Sequence, residues 1–233
     1  MGRILRESVA LLGFWVTVRY VLIWMLSYKP FKDRSFDQLH NTDTDGMVPT
    51  RDLDIADDAT KWQSNLYLGS PARVTRHIIN TLDIDCADYS FIDYGSGKGR
   101  ALFVAAEFPF RQVVGVEISR QLHLVAERNL QVYTGTQQRS DIVLWCGNAL
   151  DFQLPEGNLV LNMYHPFGPD VLRKVLIHIA ASDSIAPRRI LIPYLFSIGV
   201  AKAVFHEFPE YRRVCDELCV NNLYRWTLYE LVK

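Results

Sequence analysis

The stretch "FIDYGSGKGR", Phe91 to Arg100, constrains this chain most. A short run rich in buried-strand residues is followed at once by glycines at 95, 97 and 99, and then by a helix-like segment. Glycine between a strand and a helix permits positive φ and lets a ligand approach the backbone closely. The same strand-to-helix alternation continues downstream. "QVVGVEI" (112–118), "DIVLWC" (141–146), "NLVLNMY" (158–164) and "RRILIPYL" (188–195) read as strands. Helical patterns lie between most of them: one capped by Ser119, one over 169–182 and one over 198–207. Before the glycine loop, "SPARVTRHIINTLDI" reads as a helix with Ser70 as N-cap and Pro71 at the first position. "YRRVCDELCV" and "LYRWTLYELVK" close the chain as a β-rich pair. Apolar strands alternating with helices predict an α/β, doubly wound, mostly parallel sheet covered on both faces. Ligands of such sheets bind at the carboxyl ends of the strands.

Residues at those ends narrow the ligand. The glycine spacing is GxGxG, whereas the dinucleotide fingerprint would need a third glycine at 100, which is Arg100. Asp93 ends the first strand two residues before the first glycine. A carboxylate there suits an ammonium group and is a poor neighbour for a pyrophosphate. Glu117 ends the second strand, where an acid accepts from ribose hydroxyls. Together these residues point to an adenosine ligand that carries a cation.

"FIDYGSGKGR", "VVGVEIS" and "GNALDF", in that order, resemble the class I S-adenosylmethionine-dependent methyltransferases over residues 67–195. The resemblance implies a seven-stranded sheet whose last strand is antiparallel, and S-adenosyl-L-methionine as cofactor. It places Asp93, Gly95, Ser96, Gly97 and Gly99 around the methionine portion, Glu117 on the ribose, and Asn148 and Ala149 beside the adenine. Asn162 falls near the methionine end. A narrower likeness, through "DxGSGKGR" and the upstream "DTDG" at 43–46, is to Rossmann-type protein-lysine methyltransferases.

The fourth strand runs into "NMYHPF", Asn162 to Phe167, where the family's active-site loop lies. Enzymes that methylate amino groups of adenine or glutamine carry an Asn/Asp-Pro-Pro-aromatic tetrad there. This chain has one proline and His165, which argues against a nucleobase acceptor. Neutral His165 is the candidate to accept a proton or orient the acceptor, with Tyr164 and Phe167 as walls whose π faces suit a cation. A histidine bonded only to loop backbone is the competing reading.

Outside this domain, charge is uneven. Residues 1–34 carry six basic and two acidic residues, a net of +4, within a chain of net charge −1. "VALLGFWVTVRYVLIWML" (9–26) is apolar, but Arg19 at its middle costs about 2.5–3.5 kcal/mol in a bilayer, which makes insertion marginal. Trp15, Tyr20 and Trp24 suit an interface, and the basic flanks suit anionic lipid. Residues 1–34 are therefore read as a helical extension and candidate membrane anchor, 35–66 as an acidic connector or cap, and 67–233 as the catalytic domain. "NTDTDGMVPTRD" overlays a calcium loop, yet Asn41 and Asp52 replace its terminal ligands and a plain acidic cap fits better. Tyr67 is read either as closing over the cofactor or as core. Lys98 and Arg100 are read as solvated at the helix start, with a cofactor carboxylate as Arg100's alternative partner. No CxxC pairs the four cysteines, so reduced thiols are expected, with Cys215 and Cys219 buried.

The sequence thus predicts a cytoplasmic methyltransferase, attached to a membrane surface if residues 9–26 meet one. Its acceptor would be a protein, a lipid or a small molecule. No overall basic charge marks a nucleic-acid partner, and no metal is expected. The rival readings are a non-catalytic adenosyl-binding module and an NAD-dependent oxidoreductase.

Overall fold

A computed structural model describes residues 34–55, 61, 63–135, 141–196, 199–219 and 224–232. The apolar stretch 9–26 lies outside the described residues, and no helix among them is long and apolar enough to cross a membrane.

Seven strands form the central sheet: β3 (Tyr89–Tyr94), β4 (Gln112–Glu117), β5 (Ile142–Cys146), β6 (Asn158–Tyr164), β7 (Ile190–Leu195), β8 (Tyr211–Cys219) and β9 (Tyr224–Leu231). Their spatial order is β5-β4-β3-β6-β7-β9-β8. The first five run parallel, and β9 inserts antiparallel between β7 and β8. This is the predicted doubly wound sheet with its antiparallel last strand. The topology reverses at β3, between β4 and β6, so the glycine loop leaves the sheet at its switch point.

Both faces of β3 are covered, which explains a strand with no exposed position. On one side Phe91 packs with Val74 and Ile78 of α2 (Ala72–Thr81) and with Leu102 and Phe103 of α3 (Arg100–Ala105). On the other side Ile92 and Tyr94 pack with Leu172, Leu176 and Ile179 of α5 (Pro169–Ile185) and with Phe205 of α6 (Gly199–His206). Between these, α4 (Arg120–Val132) follows β4 and is capped by Ser119, whose hydroxyl accepts from Leu122 N at 3.3 Å, as the sequence predicts. One cap differs. Pro71 rather than Ser70 occupies the N-cap of α2, and Ser70 is buried at the sheet end instead. Proline's fixed φ suits either position, so sequence alone leaves the register one residue free. The cysteines are free; Cys219 is buried, and Cys215 is half-buried rather than fully buried.

The acidic connector folds over the sheet's carboxyl end. The helix α1 (Arg34–His40) leads into a loop, and β1 (Met47–Val48) pairs antiparallel with β2 (Tyr67–Leu68). Asp37 organises this loop. Its Oδ1 accepts from Thr42 Oγ1 at 2.8 Å, Thr44 N at 2.9 Å and Thr44 Oγ1 at 2.5 Å, and its Oδ2 accepts from Asp45 N at 2.8 Å. Arg100 at the start of α3 then reaches into it. Nε donates to Thr44 Oγ1 at 2.6 Å, and Nη2 lies 3.4 Å from Asp37 and 3.7 Å from Asp45. Arg100 is 2% exposed, which corrects the reading of a solvated residue. Lys98 is likewise engaged, donating to Asp43 Oδ1 at 3.1 Å and Asp45 O at 2.9 Å. The aspartates of "DTDG" therefore serve the protein's own cations, and no metal-binding cluster occurs among the described residues.

Removing one partner of a buried charge cluster leaves the others unpaired, at about 3–5 kcal/mol. Arg100→Met is expected to lower unfolding free energy by about that amount in urea titration. Arg51→Met, at an exposed ion pair, is expected to change it by less than about 1 kcal/mol.

Candidate active site

A cavity of about 590 Å³ opens where β3, β4 and β6 end, roofed by the connector. That volume lies within the range of about 300–1,000 Å³ common for small-molecule sites. Asp93, Gly95, Ser96, Glu117, Asn148, Ala149, Tyr164, His165 and Phe167 all line it. These nine sequence-predicted residues are thus brought together from four separate loops. Gly97, Gly99 and Asn162 are not in the lining, and each acts through a neighbour.

Gly97 has φ +54°, and its N–H donates to Glu117 Oε2 at 2.7 Å. The Tyr67 ring lies flat against it, because a Cβ there would sit 2.2 Å from Tyr67 Cε2. Tyr67 is tied down by its hydroxyl, which donates to Thr44 O at 2.7 Å. It therefore covers the glycine loop while packing against the small core cluster of Leu53, Ile55 and Leu122. Gly99, at φ +93°, is the N-cap of α3 and faces Phe103 and Ala126 rather than the cavity. Asn162 Nδ2 donates to Asp93 Oδ1 at 2.7 Å and so orients that carboxyl.

The two acids differ in their surroundings. Glu117 accepts from Gly97 N and, at 2.8 Å, from Ser119 N, which fixes its rotamer beneath the loop. Burial raises its pKa, and the backbone N–H groups offset part of that shift. Asp93 is also buried, and its pKa is pushed up to about 7, chiefly by desolvation, with Asn162 lowering it and Glu117 raising it. An arriving cation would reverse that penalty. Arg100 lines the same cavity, and its buried Nη1 has no hydrogen-bond partner among the described residues. The cavity wall thus holds an acid awaiting a cation and a guanidinium with a spare donor.

At the opposite side Asn148 Oδ1 accepts from Leu150 N at 3.0 Å, which shapes the turn after β5. His165 sits at φ +45° immediately after β6, and its Nδ1 lies 2.9 Å from Tyr194 Oη. The ring's partner is thus a buried tyrosine of β7 rather than loop backbone. Burial lowers the His165 pKa, so the ring is neutral near pH 7.

Sequence reasoning read 35–66 as an acidic connector or cap but missed the apolar residues with which it lines the cavity. Met47, Leu53 and Ile55 line it from that stretch, and Leu68 just after it. Their signal was present as isolated apolar residues within the aspartate run. Asp54 completes the roof, accepting from Gln121 N at 2.8 Å and from Ser119 Oγ at the start of α4.

No protein-family model matches the sequence, and no curated protein matches it. Among solved structures the chain is similar to yhhF from Escherichia coli, provisionally assigned as a methyltransferase, at 14% identity and a TM-score of 0.51. That match covers 78% of this chain and 92% of the other. It is also similar to magnesium protoporphyrin IX methyltransferase from Synechocystis with bound SAM (14% identity, 70% and 79% covered, TM-score 0.49). A third is an RNA methyltransferase from Salinibacter ruber in complex with S-adenosyl-L-homocysteine (16% identity, 70% and 94% covered, TM-score 0.46). At 14% identity the yhhF likeness speaks for fold alone, and it establishes that this chain has the Rossmann-like α/β fold found among methyltransferases.

Two measurements check the site's geometry. Gly97→Ala combines strain at positive φ, about 1–2 kcal/mol, with a clash against a fixed ring. It is expected to destabilise the protein by more than Gly46→Ala, where φ is +103° but no atom lies within 4 Å. Adding Tyr67→Ala is expected to recover part of the Gly97→Ala loss in chemical denaturation. The second concerns Asp93, whose folded pKa is raised. Its contribution to stability is full below about pH 4, the unfolded value, and is lost as pH rises through about 7. Asp93→Asn is expected to flatten the fall in stability between about pH 4 and 7 and to stabilise the ligand-free protein at pH 8.

Proposed function

We propose that the chain is an S-adenosylmethionine-dependent methyltransferase. The observation that carries this reading is the triad of charges at the glycine loop: desolvated Asp93, backbone-anchored Glu117 and the orphaned Nη1 of Arg100. They match, in turn, an ammonium, a pair of ribose hydroxyls and a carboxylate. Asn148 and Ala149 would flank the adenine, with Leu53, Ile55 and Leu122 supplying apolar cover. When bound, S-adenosylmethionine supplies an electrophilic methyl group on a sulfonium.

The protein's own contribution is alignment and exclusion of water. Holding two reactants in line is worth up to about 7–11 kcal/mol of the barrier. Tyr67 and the β1–β2 roof close one side of the cavity, and Tyr164, Phe167 and Phe196 wall the other. These aromatic faces tolerate a cationic sulfonium. His165 faces the same space and is the one candidate there for contact with the acceptor atom. An NAD-dependent oxidoreductase is disfavoured because a pyrophosphate would meet the Asp93 carboxyl. A silent binding module would share the cofactor contacts without methyl transfer.

A protein lysine remains an acceptor suggested by sequence likeness alone, and attachment to a membrane through residues 9–26 rests on their composition alone.

Thermal shift ranks the readings. A ligand at 100 times its Kd stabilises by about 2.7 kcal/mol. S-adenosylmethionine and its demethylated product are expected to raise Tm while NAD does not, and the reverse order would defeat the proposal. Because a cationic ligand favours ionised Asp93, binding below pH 7 must displace its proton. Affinity measured by calorimetry is expected to rise from pH 6 to 8 and then level off, and Asp93→Asn is expected to remove both the affinity and its pH slope.

A further inference from the structure

We propose that the acceptor's nucleophile is an anionic oxygen, a phenolate or carboxylate on an apolar body, held by a hydrogen bond donated from His165 Nε2, with Tyr194 fixing the tautomer. This rests on the methyltransferase reading above.

The argument begins at Tyr194, which is fully buried near the end of β7. Its ring meets Phe205 edge-on, with centroids 5.6 Å apart. Burial drives its phenol pKa far up, so the proton stays on. Among the described residues its hydrogen-bond partner is His165 Nδ1, at 2.9 Å. If Nδ1 carried the hydrogen it would donate to the phenol oxygen, and the phenol proton would be left without an acceptor among the described residues, a costly state when buried. Tyr194 therefore donates, Nδ1 accepts, and the single hydrogen of the neutral ring is on Nε2. His165 is then a donor toward the cavity and has no lone pair left to act as a base.

The loop's carbonyls are also engaged. Asn65 Nδ2 donates to His165 O at 2.7 Å and to Phe167 O at 3.3 Å, while Asn65 N donates to Pro166 O at 3.2 Å. Three successive carbonyls each have one lone pair already taken, which leaves them poorer partners for an incoming amine. The charged side chains lining the cavity, among the described residues, are Asp93, Arg100 and Glu117, all gathered at the glycine-loop end. Beyond His165 the lining turns to Phe167, Phe196 and Val171, and Met47 and Leu66 reach the mouth at 60% and 48% exposure. An ammonium would find neither a base nor a carboxylate here. An oxyanion finds one N–H, apolar walls and an opposite charge on the sulfonium. In the transfer, the oxygen's electron pair forms the O–CH3 bond as the S–CH3 bond breaks and its pair stays on sulfur. The oxyanion becomes a neutral ether or ester, the sulfonium becomes a thioether, and no proton moves.

Two experiments on the full chain test this. With ¹⁵N-labelled histidine, two-bond ¹H–¹⁵N spectra are expected to show His165 as the Nε2–H tautomer, and Tyr194→Phe to give a mixture. An Nδ1–H tautomer in the parent protein overturns the proposal. With methyl-labelled S-adenosylmethionine, 4-butylphenol, 4-butylbenzoate and 4-butylbenzylamine share one body and differ in nucleophile. Label on an oxygen probe at least tenfold above the amine is expected. Greater or equal label on the amine, or no label on any probe while the cofactor still raises Tm, overturns it. Loss of the cofactor's Tm effect would instead overturn the underlying methyltransferase reading. His165→Gln keeps an N–H donor without a base and is expected to retain oxygen methylation within about tenfold, whereas His165→Leu loses about 100-fold or more. Equal loss in both variants would signal a base and overturn the assignment.

Discussion

The buried guanidinium of Arg100 is the constraint on which this molecule's upper half depends. It is desolvated at the first turn of α3, directly after the glycine loop, and a buried cation requires partners. Its partners come from the connector, where Asp37 collects four hydrogen bonds and fixes the loop to Asp45. The glycine loop and the acidic roof are therefore one electrostatic unit. Gly69 shows how tightly it is closed: a Cβ there would lie 2.6 Å from Thr44 O and 3.3 Å from Arg100 Nη1. The arrangement leaves one guanidinium nitrogen, Nη1, buried without a hydrogen-bond partner among the described residues, at a residue that lines the cavity.

That unit also explains why the two acids can sit so deep. Asp93 and Glu117 are both desolvated, yet their supports differ. Glu117 is held by backbone N–H groups of the loop it stabilises, whereas Asp93 has one amide from Asn162. The better-supported acid is positioned, and the other is poised. A site with one acid of each kind binds a ligand with uneven charge more readily than one with a uniform anionic face.

Much of this was legible in the sequence, and the reason differs by element. The parallel sheet was legible because its strands are short, mostly apolar runs separated by helical patterns, three of them closed by glycine or an acid. The strand-end residues were legible because the switch point of such a sheet gathers them whatever lies between. The cap was legible only as a cap, not in its contacts. Residues 37–58 hold seven aspartates, and composition alone cannot tell a solvated acidic loop from one whose charges are spent on Arg100 and Lys98. The Tyr194–His165 pair was equally hidden, since the partners lie 29 residues apart, one on β7 and one in the loop after neighbouring β6, and neither carries a local pattern.

The position of β9 has a consequence for how the chain comes together. β8 precedes β9 in sequence, yet its only place in the sheet is on β9's far side, so it has nothing to pair with until β9 exists. β9, alone or already paired with β8 as a hairpin, must dock on β7. Until then β7 presents a bare, wholly buried-type edge bearing Leu191, Tyr194 and Leu195, which invites pairing with another chain. Assembly is guarded on the finished outer edge, where β8 carries Arg212, Arg213, Asp216 and Glu217 and an irregularity between Arg213 and Cys215. The vulnerable moment for this protein is therefore the interval before β9 docks, when the strand that supplies Tyr194 is still an open template.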